Sequence, residues 1–256
     1  MPDITISIVT HNCEEKILPV IDSIRSGMTS LSESEEDSPD YTIIIVDSAS
    51  SDATKLRVNK AMEAQPGLIE WIGCKENVGF STAHNRAITL LKGLYHVVMT
   101  PDMHLPPGSL LAMTHFMDAN TDVGLLIPKV VDLPEEEGGA TRTLPPRERR
   151  VFTGIQSFIA SKVMRNQVDE IGYATGGVYF FRTEVFLQVH GFDETFPLPL
   201  AEADIIRQVN MVSQTVCFPG VQIMQKCTAK AAPDGVAIGA APLSWLRFAW
   251  KWHTHK

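Results

Sequence analysis

Three apolar runs of this chain end in polar residues of the kinds that bind charged ligands. The clearest case is Asp102, which follows the apolar run 95–99 and the pair Thr100 and Pro101. Proline cannot donate a hydrogen bond to a β-sheet, so the strand should end there and present a carboxylate. Such a carboxylate could hold a divalent cation and the phosphates that the cation binds. The alternative is a polar turn in which Asp102 only caps a helix.

Polar residues also follow the apolar runs 4–10 and 41–46. They are His11, Asn12, Asp47 and Asp52. In an open α/β sheet, ligands bind beyond the carboxyl ends of parallel strands. We therefore expect these side chains to converge with Asp102 on one rim. The alternatives are turn and helix-cap roles for Asp47 and Asp52, and a structural, hydrogen-bonded role for His11.

The elements that would position these residues alternate between strands and helices. Apolar runs predict strands at 4–10, 41–46, 68–73 and 95–99, and apolar spacing predicts helices through 17–24, 56–62, 82–91 and 110–117. This alternation is typical of an α/β protein with a doubly wound, mainly parallel sheet. The second half is less regular, with a strand at 123–131 that Pro128 interrupts. Polar loops are expected at 26–40 and 134–150.

The composition excludes several classes of protein. The 256 residues, 44% of them hydrophobic, can bury a sizeable core as one domain or two tightly joined halves. A net charge of -8 argues against a nucleic-acid partner. The four cysteines lack zinc-site or disulfide spacing, and neither a signal peptide nor a membrane span is predicted. We therefore expect a cytoplasmic location.

Glycine-rich phosphate-binding motifs are missing from the sequence. No GxGxxG follows the first strand, and GxxxxGK[ST] does not occur. The motifs that usually identify a dinucleotide-binding protein or a P-loop protein are therefore missing. A nucleotide held without such a cradle needs another partner for its phosphates, and a divalent cation on Asp102 would supply one.

Six segments, in order, resemble the family 2 glycosyltransferases of the GT-A fold, particularly their bacterial rhamnosyltransferase-like branch. They are SIVTHN at 7–12, IIVDSASSDAT at 44–54, ENVGFSTAHNRAI at 76–88, TPD at 100–102, TGGVYFFR at 175–182 and GFDETF at 191–196. The resemblance implies one domain over 1–256. Its parts would be a nucleotide-sugar-binding half at 1–118, an acceptor-binding half at 119–242 and an aromatic, basic segment at 243–256.

The same resemblance implies the reaction, an inverting transfer from a nucleotide-diphosphate sugar. dTDP-rhamnose is the favoured donor and UDP-sugars come next. The acceptor would be a saccharide or lipid-linked saccharide in the synthesis of a cell-surface polysaccharide such as O-antigen. Two other interpretations remain open. A non-catalytic protein of this fold could bind nucleotide sugars, whereas a nucleotidyltransferase would want a basic glycine-rich loop that is missing after the first strand.

For the donor, the resemblance implies that Thr10 and Asp47 bind the base and ribose, with Asn12 and Asp52 as weaker neighbours. The segment 77–85 resembles the family's nucleotide- and sugar-side loop.

That loop matches most sharply at Gly79 and Asn85, although Gly79 could simply allow the chain to enter a helix. Thr100, where the family usually has asparagine, joins the sugar-binding set. Asp102 matches the aspartate that binds magnesium or manganese at the diphosphate, where the cation neutralises charge on the leaving group.

The match is imperfect where the catalytic base should lie. Counted from the GFDE segment, Glu202 takes the place of the usual aspartate, and Asp204 is the second candidate for the base. A base needs only a carboxylate within hydrogen-bond reach of the acceptor hydroxyl. Gln208 replaces a usual arginine, and the region of a later, sometimes metal-binding histidine carries Gln225 instead.

The last fourteen residues combine three tryptophans with basic residues and contain no acid. Helical spacing predicts one side formed by Trp245, Phe248, Ala249 and Trp252, with Trp250 and Lys251 off it. Interfacial helices share this composition, so a peripheral membrane contact through 243–256 is one prediction. The alternative is a final helix that packs its aromatic side on the domain.

Overall fold

An eight-stranded mixed sheet lies at the centre of the computed structural model, which describes residues 3–29, 39–132, 177–225 and 241–253. The strands are β1 Ile4–Thr10, β2 Tyr41–Asp47, β3 Ile69–Gly73, β4 Tyr95–Met99, β5 Met103–His104, β6 Val123–Asp132, β7 Val178–Arg182 and β8 Gln214–Gln225. Their order across the sheet is β3-β2-β1-β4-β7-β6-β8-β5.

The first four strands pair in parallel, as the sequence predicts. β7 is antiparallel to both β4 and β6, β8 runs parallel to β6, and β5 is antiparallel to β8. The predicted α/β fold with a mainly parallel sheet is thus confirmed. Because β1, β2 and β4 point the same way, their carboxyl ends meet at one rim.

Helices cover both faces of the sheet. They are α1 Ile17–Met28, α2 Thr54–Ala64, α3 Gly79–Arg86, α4 Ser109–Ala119, α5 Thr183–Gln188, α6 Leu198–Val212 and α7 Ala241–His253. The first core cluster joins α1, α2 and α4 to one face through residues such as Ile24, Val58 and Met113. On the other face, α5 and α6 pack through Phe186 and Ile205, and α3 through Ala83. Alternate strand residues supply each core, as the two-residue period of a strand requires.

Two elements differ from the sequence-based expectation. The helix expected at 82–91 begins at Gly79 and continues after Arg86 as the 3-10 turn Ala87–Leu90. Strand β8 was not predicted, since its sequence mixes glutamines with Pro219 and Gly220, which are poor strand formers.

The loop expected from residue 26 starts later, because α1 runs to Met28. A side chain at Gly27 would come within 3.2 Å of Ser109 Oγ, so this glycine allows α1 to lie close against the start of α4. Most of the predicted loop 26–40 and all of 134–150 lie outside the described residues.

Candidate active site

The rim formed by the ends of β1 and β2 centres on Asp47. Its register partner is Thr10, whose Oγ1 donates to Asp47 Oδ1 at 2.9 Å. The backbone N–H of Ser50 donates to Asp47 Oδ2 at 3.0 Å, and the Ser50 hydroxyl donates to Oδ1. Asp47 is 6% exposed. The structure therefore brings the predicted pair Thr10 and Asp47 into direct contact and holds the carboxylate in one orientation.

Asn12 fastens the end of β1 to the loop after β2. Its backbone N–H donates to Ser50 Oγ at 2.9 Å, and its Oδ1 accepts from the Ser51 N–H at 2.9 Å. Asn12 and Ala49 both have a left-handed backbone, with φ of 52° and 58°. Asparagine tolerates this conformation, whereas alanine in it costs about 1 kcal/mol or more. The cross-links between the loops hold both residues in place.

Asp52 joins the start of α2 to the segment after β1. Its Oδ1 accepts from the Thr54 N–H at 3.0 Å and its Oδ2 from the Glu14 N–H at 3.0 Å. Glu14 returns a contact through Oε2, which accepts from the Ala53 N–H at 2.9 Å. This geometry matches the capping alternative, and a nucleotide contact by Asp52 stays a prediction.

The loop before α3 is attached to the same rim through Ser48. The Ser48 hydroxyl donates to Asn77 Oδ1 at 3.0 Å and accepts from the Val78 N–H at 2.8 Å. Gly79 has φ +76°, and no heavy atom lies within 4 Å of the position that a Cβ would take. Backbone conformation rather than crowding therefore calls for glycine here, and the loop is open toward solvent at Gly79.

Asn85 clamps α3 to the loop 191–196. Its Nδ2 donates to Phe192 O at 2.8 Å and to Glu194 Oε1 at 2.9 Å, and its Oδ1 accepts from Phe192 N–H at 2.9 Å. A Cβ at Gly191 would lie 2.4 Å from Asn85 Oδ1, so glycine is needed for this approach. The amide is engaged on both sides, and its predicted contact with the sugar stays untested.

Asp102 lies at the carboxyl end of β4 with both carboxylate oxygens in hydrogen bonds. Thr100 Oγ1 donates to Oδ1 at 2.6 Å, and Gln225 Nε2 donates to Oδ2 at 2.8 Å. Gln225, at the end of β8, thus contacts the predicted metal ligand. The only signal in the sequence was its position in the region of the family's later histidine.

Asp102, the predicted metal ligand, does not belong to a dense cluster of metal-ligating side chains in the described part of the chain. Within the described parts of the chain, no group of three or more His, Cys, Asp or Glu side chains is arranged to hold a metal ion. Burial raises the pKa of the Cys13 thiol, and the negative charges of Asp52 and Asp102 raise it further. Asp102 therefore lies close enough to the end of β1 to share its electrostatic environment.

Glu202 lies in α6, where it is 1% exposed. Burial raises the pKa of its carboxyl to about 7, although a hydrogen bond with Tyr179 opposes the shift. Among the described residues, Oε1 has no hydrogen-bond partner. Tyr179, on β7, was not singled out from the sequence. A carboxyl that titrates near neutral pH has the property of an efficient general base.

Asp204 is completely buried and has a different set of partners. Its Oδ1 accepts from Trp252 Nε1 at 2.8 Å, and its Oδ2 accepts from Gln208 Nε2 at 2.6 Å and Lys251 Nζ at 2.9 Å. Gln208 therefore contacts Asp204, and Lys251 supplies the positive charge. With both oxygens engaged, Asp204 has the surroundings of a structural carboxylate, and its role as alternative base stays untested.

Helix α7 packs one side on the domain, as the structural alternative predicts. Phe248 is buried and meets Phe196 edge to face, with ring centroids 5.6 Å apart. The faces differ from the expectation, because Lys251 lies on the packed side and Ala249 is exposed. The outer side carries exposed Leu243, Leu246 and Trp250. No helix in the described ranges is long and apolar enough to cross a membrane.

Two buried histidines lie beneath the rim. Ser7 Oγ is 2.8 Å from His84 Nδ1 and 3.4 Å from His96 Nε2. These contacts join β1, α3 and β4. Burial lowers the pKa of both imidazoles, that of His96 to about 4. His11 has a structural contact as well, since its Nδ1 lies 2.7 Å from Ser48 O.

Sequence comparison connects this geometry to one family. A family model described as Glycosyl transferase family 2 matches residues 5–188, which includes the rim, Asp102 and Tyr179. No curated protein is similar enough in sequence to count as a relative.

Solved structures with the same fold include a mannosyltransferase and other proteins in complex with a nucleotide or a nucleotide sugar. Mannosyltransferase PcManGT from Pyrobaculum calidifontis, in complex with GDP-Man and Mn2+, is 20% identical with a TM-score of 0.61, and the match covers 90% of this chain and 58% of that one. S. aureus TarS 1–349 in complex with UDP-GlcNAc is 12% identical with a TM-score of 0.58, and the match covers 88% of this chain and 59% of that one. GalNAc-T7 with UDP, GalNAc and Mn2+ is 12% identical with a TM-score of 0.66, and the match covers 99% of this chain and 50% of that one. This chain thus spans 50–59% of the length of those three chains.

Proposed function

The chain belongs to glycosyl transferase family 2, and we propose that it moves a sugar, with inversion, from a nucleotide-diphosphate sugar to a hydroxyl group of a saccharide acceptor. The observation that carries the proposal is Glu202, a buried carboxyl beside Tyr179 whose pKa lies at about 7. A group that is half deprotonated near neutral pH can accept a proton from a hydroxyl in the transition state.

The nucleotide binds at the rim in this proposal. Thr10, Asn12 and Asp47 lie at the ends of β1 and β2. The bond from Thr10 to Asp47 and the bonds of Asn12 with Ser50 and Ser51 hold this cradle rigid before the ligand arrives. Preorganised groups lose little entropy on binding, which favours affinity. Gly79 leaves space on the sugar side, and Asp52 and Asn85 hold the surrounding loops.

Asp102 is the proposed ligand of a divalent cation, magnesium or manganese, with Thr100 beside it. Each oxygen of a carboxylate offers two acceptor positions, and in Asp102 one on each oxygen is used by Thr100 or Gln225. One position on each remains for a cation. Magnesium is often held by one or two carboxylates together with substrate phosphates, so a single aspartate fits this role. When bound, the cation would stabilise negative charge on the leaving diphosphate.

Glu202 removes the proton from the acceptor hydroxyl as its oxygen attacks the anomeric carbon. A new carbon–oxygen bond forms there, and the bond from the same carbon to the diphosphate oxygen breaks. The proton stays on Glu202 and the electron pair leaves with the nucleotide diphosphate. Attack from the side opposite the leaving group inverts the anomeric centre.

For the substrates, we propose a hexosyl donor with dTDP-rhamnose first and UDP-sugars next, and a saccharide or lipid-linked acceptor in polysaccharide synthesis. The support is the resemblance of six ordered segments to the rhamnosyltransferase-like branch. A panel of nucleotide sugars, each tested for thermal stabilisation with and without manganese, identifies the donor because only a ligand of the folded state raises the melting temperature.

A second candidate function is nucleotide-sugar binding without catalysis. It is favoured by the 1% exposure of Glu202, since an acceptor hydroxyl must reach the carboxylate. Donor turnover by the wild type and its loss in Glu202→Gln, with donor affinity kept, supports the transferase. Tight donor binding without turnover in the wild type supports the second candidate. Glu184→Gln, an exposed glutamate of α5, serves as the matched control.

A further inference from the structure

The helix that carries Glu202 is not secured by a cap of its own. Helix α6 begins after Pro197, whose side chain makes no capping hydrogen bond to the helix. Helix starts leave backbone N–H groups without intrahelical partners and are commonly fixed by such a bond. Glu202 lies in the second turn, so other contacts must fix the position of this end.

Those contacts come from Lys251 of α7. Its ammonium lies 2.8 Å from Asp193 Oδ2 and 2.9 Å from Asp204 Oδ2, so it bridges the loop before α6 to the helix itself. The Lys251 side chain is 26% exposed and that of Asp204 is fully buried. Water therefore screens the attraction between Lys251 and Asp204 only weakly.

The loop that Lys251 holds is anchored at its other side as well. Glu194 accepts from Thr82 Oγ1 at 2.8 Å and from Asn85 Nδ2 at 2.9 Å, which connects the loop to α3. Asp193 and Glu194 are neighbours, so the loop is fastened to the donor side and to α7 at adjacent residues. Lys251 transmits this fixed position to α6.

Trp252 strengthens the attachment from the same helix turn. Its indole N–H donates to Asp204 Oδ1 at 2.8 Å, and the guanidinium of Arg207 lies 5.0 Å from its ring centroid. Asp193 of the loop, and Asp204 and Arg207 of α6, thus meet the end of α7. Asp204 lies two residues from Glu202.

We propose that Lys251 is a positioning residue for Glu202, acting through Asp193 and Asp204 to hold the catalytic carboxylate at the acceptor. The inference rests on the proposed function, because it assumes that Glu202 is the base. It assigns α7 to the active machinery, although the family match ends at residue 188.

The test compares Lys251→Met with Lys251→Arg and with Lys92→Met. Lys92 makes an ion pair of similar length, 2.9 Å to Glu70, at the far edge of the sheet, and so controls for the loss of any such pair. We expect Lys251→Met to lower kcat on the order of 10- to 100-fold, the effect of misplacing a catalytic group by about 1 Å. Donor KM should stay unchanged, Lys251→Arg should recover most of kcat, and Lys92→Met should match the wild type.

Rates are measured on protein shown to be folded by circular dichroism. If Lys251→Met does not fold, Trp252→Phe takes its place, since it removes the indole donor to Asp204, keeps an aromatic ring near Arg207 and should lower kcat by a smaller factor. An unchanged kcat in the folded variant, or an equal change in kcat and donor KM, overturns the inference. Glu202→Gln assayed alongside separates the two proposals, because full activity in that variant overturns the proposed function itself.

Discussion

As the proposed base, Glu202 faces opposing demands of stability and chemistry. Its pKa is raised from 4.5 to about 7 because the side chain is buried. A folded-state pKa above the unfolded value means that the contribution to stability is full below pH 4.5 and is lost as the pH rises through about 7. The shift corresponds to about 3 kcal/mol of the free energy of unfolding at alkaline pH.

Glu202→Gln should therefore stabilise the protein at pH 8, by up to about 3 kcal/mol, and change little at pH 4.5. The same variant should lose transfer activity, since the amide cannot accept the proton. Urea unfolding at the two pH values and a transfer assay measure both effects. An active variant, or one that is equally destabilised at both pH values, would contradict the assignment of a buried base.

Asp102 should affect cation-dependent binding more than folding. Asp102→Asn keeps the shape of the side chain but removes the negative charge between Thr100 and Gln225. We expect manganese-dependent stabilisation by the donor to disappear, while the melting temperature without ligand changes by only a few degrees. Asp22→Asn, on an exposed carboxylate, is the control. Retained manganese dependence in Asp102→Asn would rule out the proposed ligand.

At the scale of elements, the buried group of Ser7, His84 and His96 connects β1, α3 and β4. Burial lowers the pKa of both histidines, to about 4 for His96, whereas an unfolded histidine titrates near 6.5. The unfolded chain thus binds protons that the folded chain cannot. Stability is full above pH 6.5 and is lost as the pH falls toward 4, and His96 alone accounts for about 3 kcal/mol.

Urea unfolding at pH 7.5 and pH 5.0 measures this loss. His96→Gln should lose less stability than the wild type over that interval, because glutamine does not titrate. His115→Gln, at an exposed position of α4, should behave like the wild type. If all three proteins lose the same free energy of unfolding, the buried imidazole of His96 does not cause the loss of stability at acid pH.

For the whole molecule, the order of elements was more predictable than the contacts between them. β1 and β4 were predicted at their exact bounds because each is an apolar run that ends in a polar or breaking residue. In contrast, Asn85 meets Phe192 across 107 positions, and Lys251 meets Asp204 across 47. Spacing along the chain carries no information about such contacts. They became visible only once the sheet order had placed α3, α6 and α7 on one face.

The two sides of α7 have different surroundings, because one packs on the domain and the other is exposed. Its inner side contributes Phe248, Lys251 and Trp252 to the domain. Removing residues after 242 would therefore disturb α6 as well as any outer contact, and so truncation cannot isolate a membrane role. Variants on the outer side avoid this problem.

We therefore expect the outer side of α7 to give weak, salt-sensitive binding to anionic liposomes, in keeping with a peripheral membrane location. Leu246 and Trp250 are 66% and 73% exposed, and Arg247 is exposed beside them. Apolar side chains next to a basic one favour an anionic interface, and salt screens the electrostatic part of such binding. Leu246→Glu with Trp250→Glu should abolish co-sedimentation at low salt, whereas Leu56→Glu, at a 58% exposed position of α2, should keep it. Equal sedimentation of both variants, or none by the wild type, would leave α7 with its packing role alone.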